Sequence, residues 1–191
     1  MKIAVCSDLH LEFGPISLEN KDNADVLILS GDICVVKDLR EKDDFNIRGE
    51  NDKSNQYHTF FQECCARFPN VIYIMGNHEH YHGDYKYTAA YMKRMLKYLP
   101  NLQILDMETW TLHDEITFIG GTLWTDMNKS DFHSMHHVKN CMQDFQCIAN
   151  SNRMVQRKVP LYELNPSYTP DGQNGGQYKL DENGYLIKIG E

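Results

Sequence analysis

The sequence predicts an α/β fold with a largely parallel central sheet, and three observations lead to this. Short apolar runs rich in β-branched residues recur at residues 2–6, 26–30 and 71–75, as in strands of such a sheet. An amphipathic helical pattern lies between the second and third runs, which is the crossover that parallel pairing needs. Each run also ends in a small residue and then a polar one, as at the carboxyl end of a strand that carries a ligand site.

The remaining elements follow in order along the chain. Ser54 and Asn55 are predicted to cap the crossover helix, which Pro69 ends, and Asp84 to cap a second helix that ends at Pro100. Further strands are predicted at 102–105, 109–112 and 116–120, and a helix from Phe132 with an inward apolar face. We interpret residues 1–150 as the core and residues 151–191 as a loop-rich appendage with a terminal β-hairpin.

Composition excludes several classes of protein. The chain has 191 residues and a formal net charge of −8, which argues against non-specific binding to nucleic acid or anionic membranes. No apolar run approaches the roughly 20 residues that a membrane span requires. The first strand begins at Lys2, which leaves no room for a signal peptide. The expectation is a soluble, cytoplasmic protein without a membrane partner.

Residues 38–55 differ from their surroundings because they carry ten charges in eighteen positions. A solvated surface loop is the favoured interpretation. The alternative is a lid, since the segment leaves the strand end that carries Asp32.

Metal-binding side chains follow all three apolar runs. Asp8 and His10 follow the first, Asp32 the second, and Asn77 and His78 the third. Asp8 and His10 are two residues apart, so on an extended backbone their side chains would point the same way. Carboxylate, imidazole and amide ligands together suit Mn²⁺, Fe²⁺ or Zn²⁺ better than Ca²⁺. One bridging aspartate can hold two cations roughly 3.5–4 Å apart, an arrangement that serves displacement at phosphorus.

His78 lies beside a predicted ligand without having to be one. It is suited to donate a proton to a leaving oxygen or to stabilise a transition state as a cation. The structural alternative is that Asp8 and Asp32 cap turns while His78 packs under a loop.

The other histidines give weaker signals. His80 and His82 lie past the third strand, where they either line the pocket or are exposed. His133 and His137 are four residues apart on a helix, a spacing that can bind metal, although an exposed pair is the favoured interpretation.

Asp8-x-His10, Gly31-Asp32 and Gly76-Asn77-His78-Glu79 resemble the first three motifs of the calcineurin-like metallophosphoesterase superfamily. The Gly120–Trp124 segment is also similar to what such enzymes carry. The resemblance implies an αββα-sandwich metallophosphoesterase fold with two divalent metal ions, Mn²⁺ first and Fe²⁺ or Zn²⁺ as alternatives. It implies that Asp8 and His10 bind the first ion, Asp32 bridges, Asn77 binds the second and His78 is the acid.

The chain departs from that pattern after the third motif. Family members continue with Gly-His and Gly-His-x-His motifs, whereas this sequence has no Gly-His dipeptide and no histidine after His137. The fold is therefore expected to be incomplete at its C-terminal side. The missing ligands would come from absent sequence, from a partner chain, or from His133 and His137.

Two functions remain open from the sequence. The first is a hydrolase in which a metal-bridging hydroxide attacks a phosphate mono- or diester in a nucleotide, a nucleic acid or a phosphoprotein, with phosphodiesterase activity included. The second is a catalytically silent metal-binding or interaction protein on the same scaffold.

Overall fold

The computed structural model describes residues 1–42 and 52–151, together with the backbone of two short strands near the C-terminus. The chain forms two compact units, Met1–Ser151 and Asn152–Glu191. The strands of the first unit are β1 Ile3–Cys6, β2 Val26–Ser30, β3 Asn70–Ile74, β4 Leu102–Leu105, β5 Glu108–Leu112 and β6 Ile116–Gly120. Its helices are α1 Lys53–Arg67, α2 Tyr85–Leu96, α3 Phe132–Cys141 and α4 Asp144–Cys147, with 3₁₀ turns at Leu11–Phe13, Val36–Asp38 and His78–His80.

The central sheet has the strand order β1-β2-β3-β4, and every neighbouring pair is parallel. Parallel pairing places the carboxyl ends of all four strands at one edge of the sheet. The predicted parallel sheet is confirmed, and the polar loops after β1, β2 and β3 share one edge.

Helices α1 and α2 contribute to the core on one face of this sheet. Their buried residues, among them Phe61 and Met92, form a single cluster with strand residues such as Leu29 and Tyr73. The cap of α1 differs from the prediction. The side chain of Asp52 accepts a hydrogen bond from the Ser54 N–H, so the helix begins at Lys53, ahead of both predicted cap residues.

Ser54 and Asn55 are buried within α1 instead of capping it. The Ser54 hydroxyl accepts a hydrogen bond from the Arg40 N–H at 2.9 Å. The Ser54 hydroxyl, which the local sequence pattern predicts to cap α1, is therefore bonded to a residue 14 positions earlier in the chain. By contrast, Asp84 caps α2 as predicted, through the Lys86 N–H.

The opposite face of the sheet packs against the antiparallel hairpin β5–β6. A second core cluster joins Val26, Ile72 and Leu105 of the sheet to Leu112 of the hairpin, with Trp110 and Phe118 against it. The arrangement is a mixed α/β fold with helices on one face of the parallel sheet and a small second sheet on the other.

Strand β1 is less buried than its sequence predicts. It forms an edge of the sheet, and its Ile3 and Val5 side chains are 43% and 64% exposed. The second core cluster draws its strand residues from β2, β3 and β4. Within the described ranges no layer covers this face of β1, so its apolar side chains stay exposed.

The segment after β6 turns through residues with left-handed backbone angles at Met127–Ser130 and continues into α3 and α4. Met135, Met142 and Phe145, which belong to the apolar face predicted to point inward from the helix that begins at Phe132, are exposed. In the second unit, strands Tyr178–Leu180 and Leu186–Lys188 pair as an antiparallel hairpin.

The central part of the charged segment, residues 43–51, lies outside the described residues, and the lid stays a prediction. The division at residue 150 also stays a prediction. Among the helices that the structure describes, none combines the length and apolar character that crossing a bilayer requires.

Candidate metal centre

The three loops that leave β1, β2 and β3 are joined by short backbone hydrogen bonds. The Asp8 N–H donates to the Gly31 carbonyl at 3.0 Å, and the His10 N–H donates to the Asp32 carbonyl at 3.0 Å. The third loop joins through the His78 N–H, which donates to Asp32 Oδ1 at 2.9 Å. Asp32 therefore lies between the other two loops.

Asp8, His10 and Asp32 share an unusual backbone conformation. Their φ angles are 54°, 47° and 54°, in the left-handed region that non-glycine residues seldom adopt. Asp8 and His10 are therefore not on an extended backbone, which corrects the geometry expected from the sequence. Their side chains converge because the chain turns at the strand end. Strained backbone of this kind is characteristic of functional sites.

Glycines allow the second and third loops to touch. A Cβ on Gly31 would lie 2.8 Å from the Gly76 nitrogen, and one on Gly76 would lie 2.2 Å from Asp32 Oδ1. Neither position has room for a side chain. The small residues that the sequence shows at both strand ends are thus required by close approach of the loops.

Ligand atoms of Asp8, His10 and Asp32 all lie within 4.8 Å of one another. Ligands on opposite sides of a cation with bonds of about 2.1 Å are about 4.2 Å apart, so these three fit one divalent ion after small adjustments. Two carboxylates and one imidazole also match the donor preference of Mn²⁺, Fe²⁺ and Zn²⁺. The site residues fit the metal that the sequence predicts.

Asn77 lies between two residues that contact Asp32, namely Gly76 and His78. Its Nδ2 donates to the Tyr81 hydroxyl at 3.3 Å, which turns the amide so that Oδ1 is the atom available to a cation. The part of Asn77 as a metal ligand stays a prediction.

His78 is held between two other rings. Its imidazole stacks on Tyr81 at a centroid distance of 4.3 Å and an interplanar angle of 19°, and it meets the His10 ring edge-on at 4.4 Å. His78 is partly exposed and follows the predicted ligand Asn77 directly. The His78 ring therefore lies beside the predicted metal ligands and remains partly accessible to solvent.

Glu79 holds the loops after β2 and β3 together through hydrogen bonds to their backbone N–H groups. Its carboxylate is 1% exposed and accepts hydrogen bonds from the N–H groups of Asp32, Ile33 and Gly76. The Tyr73 hydroxyl donates a further one at 2.5 Å. Burial raises the pKa of Glu79, and these hydrogen bonds oppose that shift. The carboxylate ties the end of β3 to the start of the Asp32 loop.

Glu12 is the residue that sequence reasoning missed. Its Oε1 lies 3.1 Å from His10 Nδ1 and 2.8 Å from His78 Nδ1, and its side chain is 9% exposed. Burial disfavours the carboxylate, but hydrogen bonds from its own backbone, His10 and His78 prevail, and the pKa of Glu12 lies below its usual value. The signal in the sequence is the alternation Asp8-x-His10-x-Glu12.

The other histidines lie elsewhere. His80 is buried against the Tyr85 ring, whereas His82 is exposed. His133 and His137 lie exposed on α3, and His137 contacts the Cys141 thiol. In the described ranges, neither belongs to a cluster of three or more potential metal ligands.

The segment after β6 reaches the same strand-end edge. The Thr122 hydroxyl donates to the Met75 carbonyl at 2.6 Å, next to Gly76. Trp124 packs edge-on against Tyr85 at 6.4 Å.

The sequence model of calcineurin-like phosphoesterases matches residues 1–186. The chain belongs to this family. The resemblance seen in the three motifs is thereby confirmed, together with the metallophosphoesterase fold that it implied. Membership implies divalent metal ions.

One relative and one solved structure are similar to the chain. The chain is 26% identical over 174 residues to the uncharacterised protein L509 of Acanthamoeba polyphaga mimivirus, covering 83% of this chain and 56% of that protein. It resembles the phosphopantetheinyl hydrolase PptH of Mycobacterium tuberculosis with a TM-score of 0.54 and 16% identity, covering 81% and 57% of the two chains. The second likeness shows the fold. The chain spans little more than half the length of each.

Proposed function

We propose that this chain is a metal-dependent phosphoesterase in which Asp8, His10, Asp32 and Asn77 bind two divalent cations and His78 is the general acid. The observation that carries the proposal is the convergence of the strand ends on Asp32. Its Oδ1 accepts the His78 N–H, and its carboxylate lies within 4.8 Å of the Asp8 and His10 ligand atoms.

Each side chain has a defined task in this proposal. Divalent ions bound here would lower the pKa of a coordinated water and neutralise the negative charge on the phosphoryl oxygens. Asp8, His10 and Asp32 hold the ions at the end of the sheet, and Asn77 presents its amide oxygen to them. His78 stands next to the ligands, where its imidazole gives a proton to the leaving oxygen of the ester. Tyr81 stacking keeps that ring in place.

The four ligands do not fill two coordination spheres, because each ion takes four to six donors. We propose that the remaining donors come from a partner chain, from sequence outside residues 1–191, or from His133 and His137. Two ions per chain in the isolated protein, retained after both histidines are replaced, would exclude all three sources.

Hydrolysis of bis-p-nitrophenyl phosphate and p-nitrophenyl phosphate with Mn²⁺ tests the function. Asp32→Ala is expected to lose both metal and turnover. His78→Ala is expected to keep the metal and to lose about 10²- to 10⁴-fold in kcat, the usual contribution of a general acid. His113→Ala, which removes an exposed imidazole in the β5–β6 turn, is the matched control and should behave as wild type.

The competing function is a catalytically silent metal-binding or interaction protein. Metal content of one ion or none per chain, with no turnover on either ester, would favour it. Equal rates for His78→Ala and wild type would contradict the assignment of the acid. We also propose that the ion is Mn²⁺ and that the protein is cytoplasmic. Comparing rates on the two esters, each with different divalent ions, tests the class of ester and the identity of the ion.

A further inference from the structure

We propose that Glu12 is a positioning residue that fixes the orientation and tautomer of two imidazoles at once, those of His10 and His78. The proposal rests on the proposed function, because it assigns the metal-binding imidazole and the acid imidazole to one shared carboxylate. Both rings would then present Nε2, not Nδ1, to the metal and the substrate.

The carboxylate is placed rigidly. Glu12 lies in the 3₁₀ turn Leu11–Phe13, in which the Phe13 N–H donates to the His10 carbonyl at 2.9 Å. Leu11 is buried, and its N–H donates to the Ile33 carbonyl at 2.9 Å. The turn is thereby attached to the loop after β2. A side chain on so constrained a backbone loses little further entropy in reaching the two rings.

One oxygen serves both histidines. Oε1 of Glu12 lies 3.1 Å from His10 Nδ1 and 2.8 Å from His78 Nδ1, while the two rings meet edge-on with centroids 4.4 Å apart. The other oxygen, Oε2, is buried and has no hydrogen-bond partner among the residues that the structure describes. The contacts through Oε1 are thus what orients the rings relative to each other.

An ionised carboxylate only accepts hydrogen bonds, so each Nδ1 must carry a proton to make its contact. In a neutral imidazole, protonation of Nδ1 leaves the lone pair on Nε2. Such a hydrogen bond on one ring nitrogen commonly decides which nitrogen of a metal-binding histidine faces the ion. For His10 the result is Nε2 as the ligand. For His78 it leaves Nε2 as the atom that takes up a second proton, and the imidazolium formed in this way gives that proton to the leaving oxygen of the ester and returns to the neutral Nδ1–H form.

The same three residues also have the composition of a metal site, but their spacing favours hydrogen bonding. Ligand atoms around a tetrahedral ion with bonds of about 2.1 Å are about 3.4 Å apart. Glu12 Oε1 and His78 Nδ1 are closer, at 2.8 Å, a normal hydrogen-bond distance. Tyr81 stacks on the face of the same His78 ring and limits its rotation.

The primary test uses the metal-free protein and needs no activity. Long-range ¹H–¹⁵N correlation spectra of the full chain, with labelled imidazoles, report which ring nitrogen carries the proton. Wild type is expected to show Nδ1–H at His10 and His78. Glu12→Ala should move both toward Nε2–H, whereas Glu12→Gln, which keeps an acceptor oxygen, should retain Nδ1–H. Glu115→Ala, an exposed glutamate in the β5–β6 turn, is the matched control.

Kinetics give a second readout. With Mn²⁺ and bis-p-nitrophenyl phosphate, Glu12→Ala should bind Mn²⁺ about 10- to 100-fold more weakly, the usual effect of losing a group that orients a ligand. At saturating Mn²⁺ its kcat should still be about 10-fold or more below wild type with little change in KM. Glu12→Gln should recover most of that loss.

A ring that carries Nε2–H and no proton on Nδ1, at either histidine in wild type, would overturn the proposal, and that measurement needs no variant to fold. Unchanged tautomers in a folded Glu12→Ala protein would overturn it as well. Failure of the proposed function looks different. It would appear as absent turnover in wild type, while the two rings still carry Nδ1–H and respond to Glu12→Ala.

Discussion

Replacement of Gly76 by alanine tests the idea that close approach of two loops builds the metal centre. The added methyl carbon would lie 2.2 Å from Asp32 Oδ1 and 2.8 Å from the Asp32 backbone nitrogen. Real Cβ atoms essentially never come closer than 3.0 Å to such atoms, so the separation must grow by at least 3.0 − 2.2 = 0.8 Å. The methyl group and the predicted bridging carboxylate cannot keep their present positions together.

The magnitude separates an effect on stability from an effect on the site. Introducing one methyl into packed structure costs about 1–3 kcal/mol, which is less than the stability of an ordinary domain. Metal–ligand distances, by contrast, tolerate only about ±0.2 Å. A displacement of 0.8 Å is about four times that tolerance, so Gly76→Ala should stay folded and bind Mn²⁺ more than about 100-fold more weakly.

The assay is Mn²⁺ titration by calorimetry, with the thermal midpoint measured on the same samples. Gly83→Ala is the matched control. A Cβ at Gly83 would have its nearest neighbour, the His80 carbonyl, at 3.4 Å. Wild-type Mn²⁺ affinity in Gly76→Ala would refute the reasoning, because Asp32 would then have moved without consequence for the metal.

Three further predictions concern the scaffold. Glu79→Gln should lower the free energy of unfolding by about 3 kcal/mol in urea denaturation, because an amide NH₂ would face the buried donors that now meet a carboxylate. Lysine at Leu112, which is 8% exposed, should cost more than about 2 kcal/mol, whereas lysine at Ile119, 83% exposed, should cost less than about 0.5 kcal/mol. His58 is buried with Nδ1 2.7 Å from the Tyr98 hydroxyl, and burial lowers its pKa. The unfolded chain therefore binds a proton at His58 more readily than the folded protein does, so the free energy of unfolding should decrease as the pH falls from 7.5 to values below 6.5. The decrease should be smaller in His58→Gln. Thermal midpoints measured at pH 7.5 and 5.5 test this.

Each of these has an outcome that would contradict it. If Glu79→Gln unfolds in urea with the same free energy as wild type, the Glu79 carboxylate does not hold the loops. Equal costs at Leu112 and Ile119 would contradict the packing of β5–β6 on the sheet. An identical loss of stability at acid pH in His58→Gln and wild type would assign that loss to other groups.

Much of the scaffold follows from local pattern. Alternating short apolar runs and amphipathic helices predict the parallel sheet, because that pattern can bury its apolar faces in few other ways. The polar residues after the runs predict a shared edge, since parallel strands end on the same side. Asp8 and Asp32 converge as that logic requires.

Long-range contacts explain where local pattern fails. Ser54 matches a helix cap in sequence, yet its hydroxyl bonds to Arg40 and Asp52 takes the cap. Val5 belongs to an apolar run, yet its strand is at the edge of the sheet and it is exposed. Each outcome depends on a neighbour that sequence spacing does not specify.

The sequence by itself determined the strand and helix order, the family and the side chains that reach the end of the sheet, because periodicity and short motifs are local properties. The tertiary structure alone decided the left-handed turns at Asp8 and His10, the tie made by Glu79 and the contact between Glu12 and His78. Glu12 and His78 are 66 residues apart in the chain, and only folding the sheet brings the carboxylate within 2.8 Å of the ring.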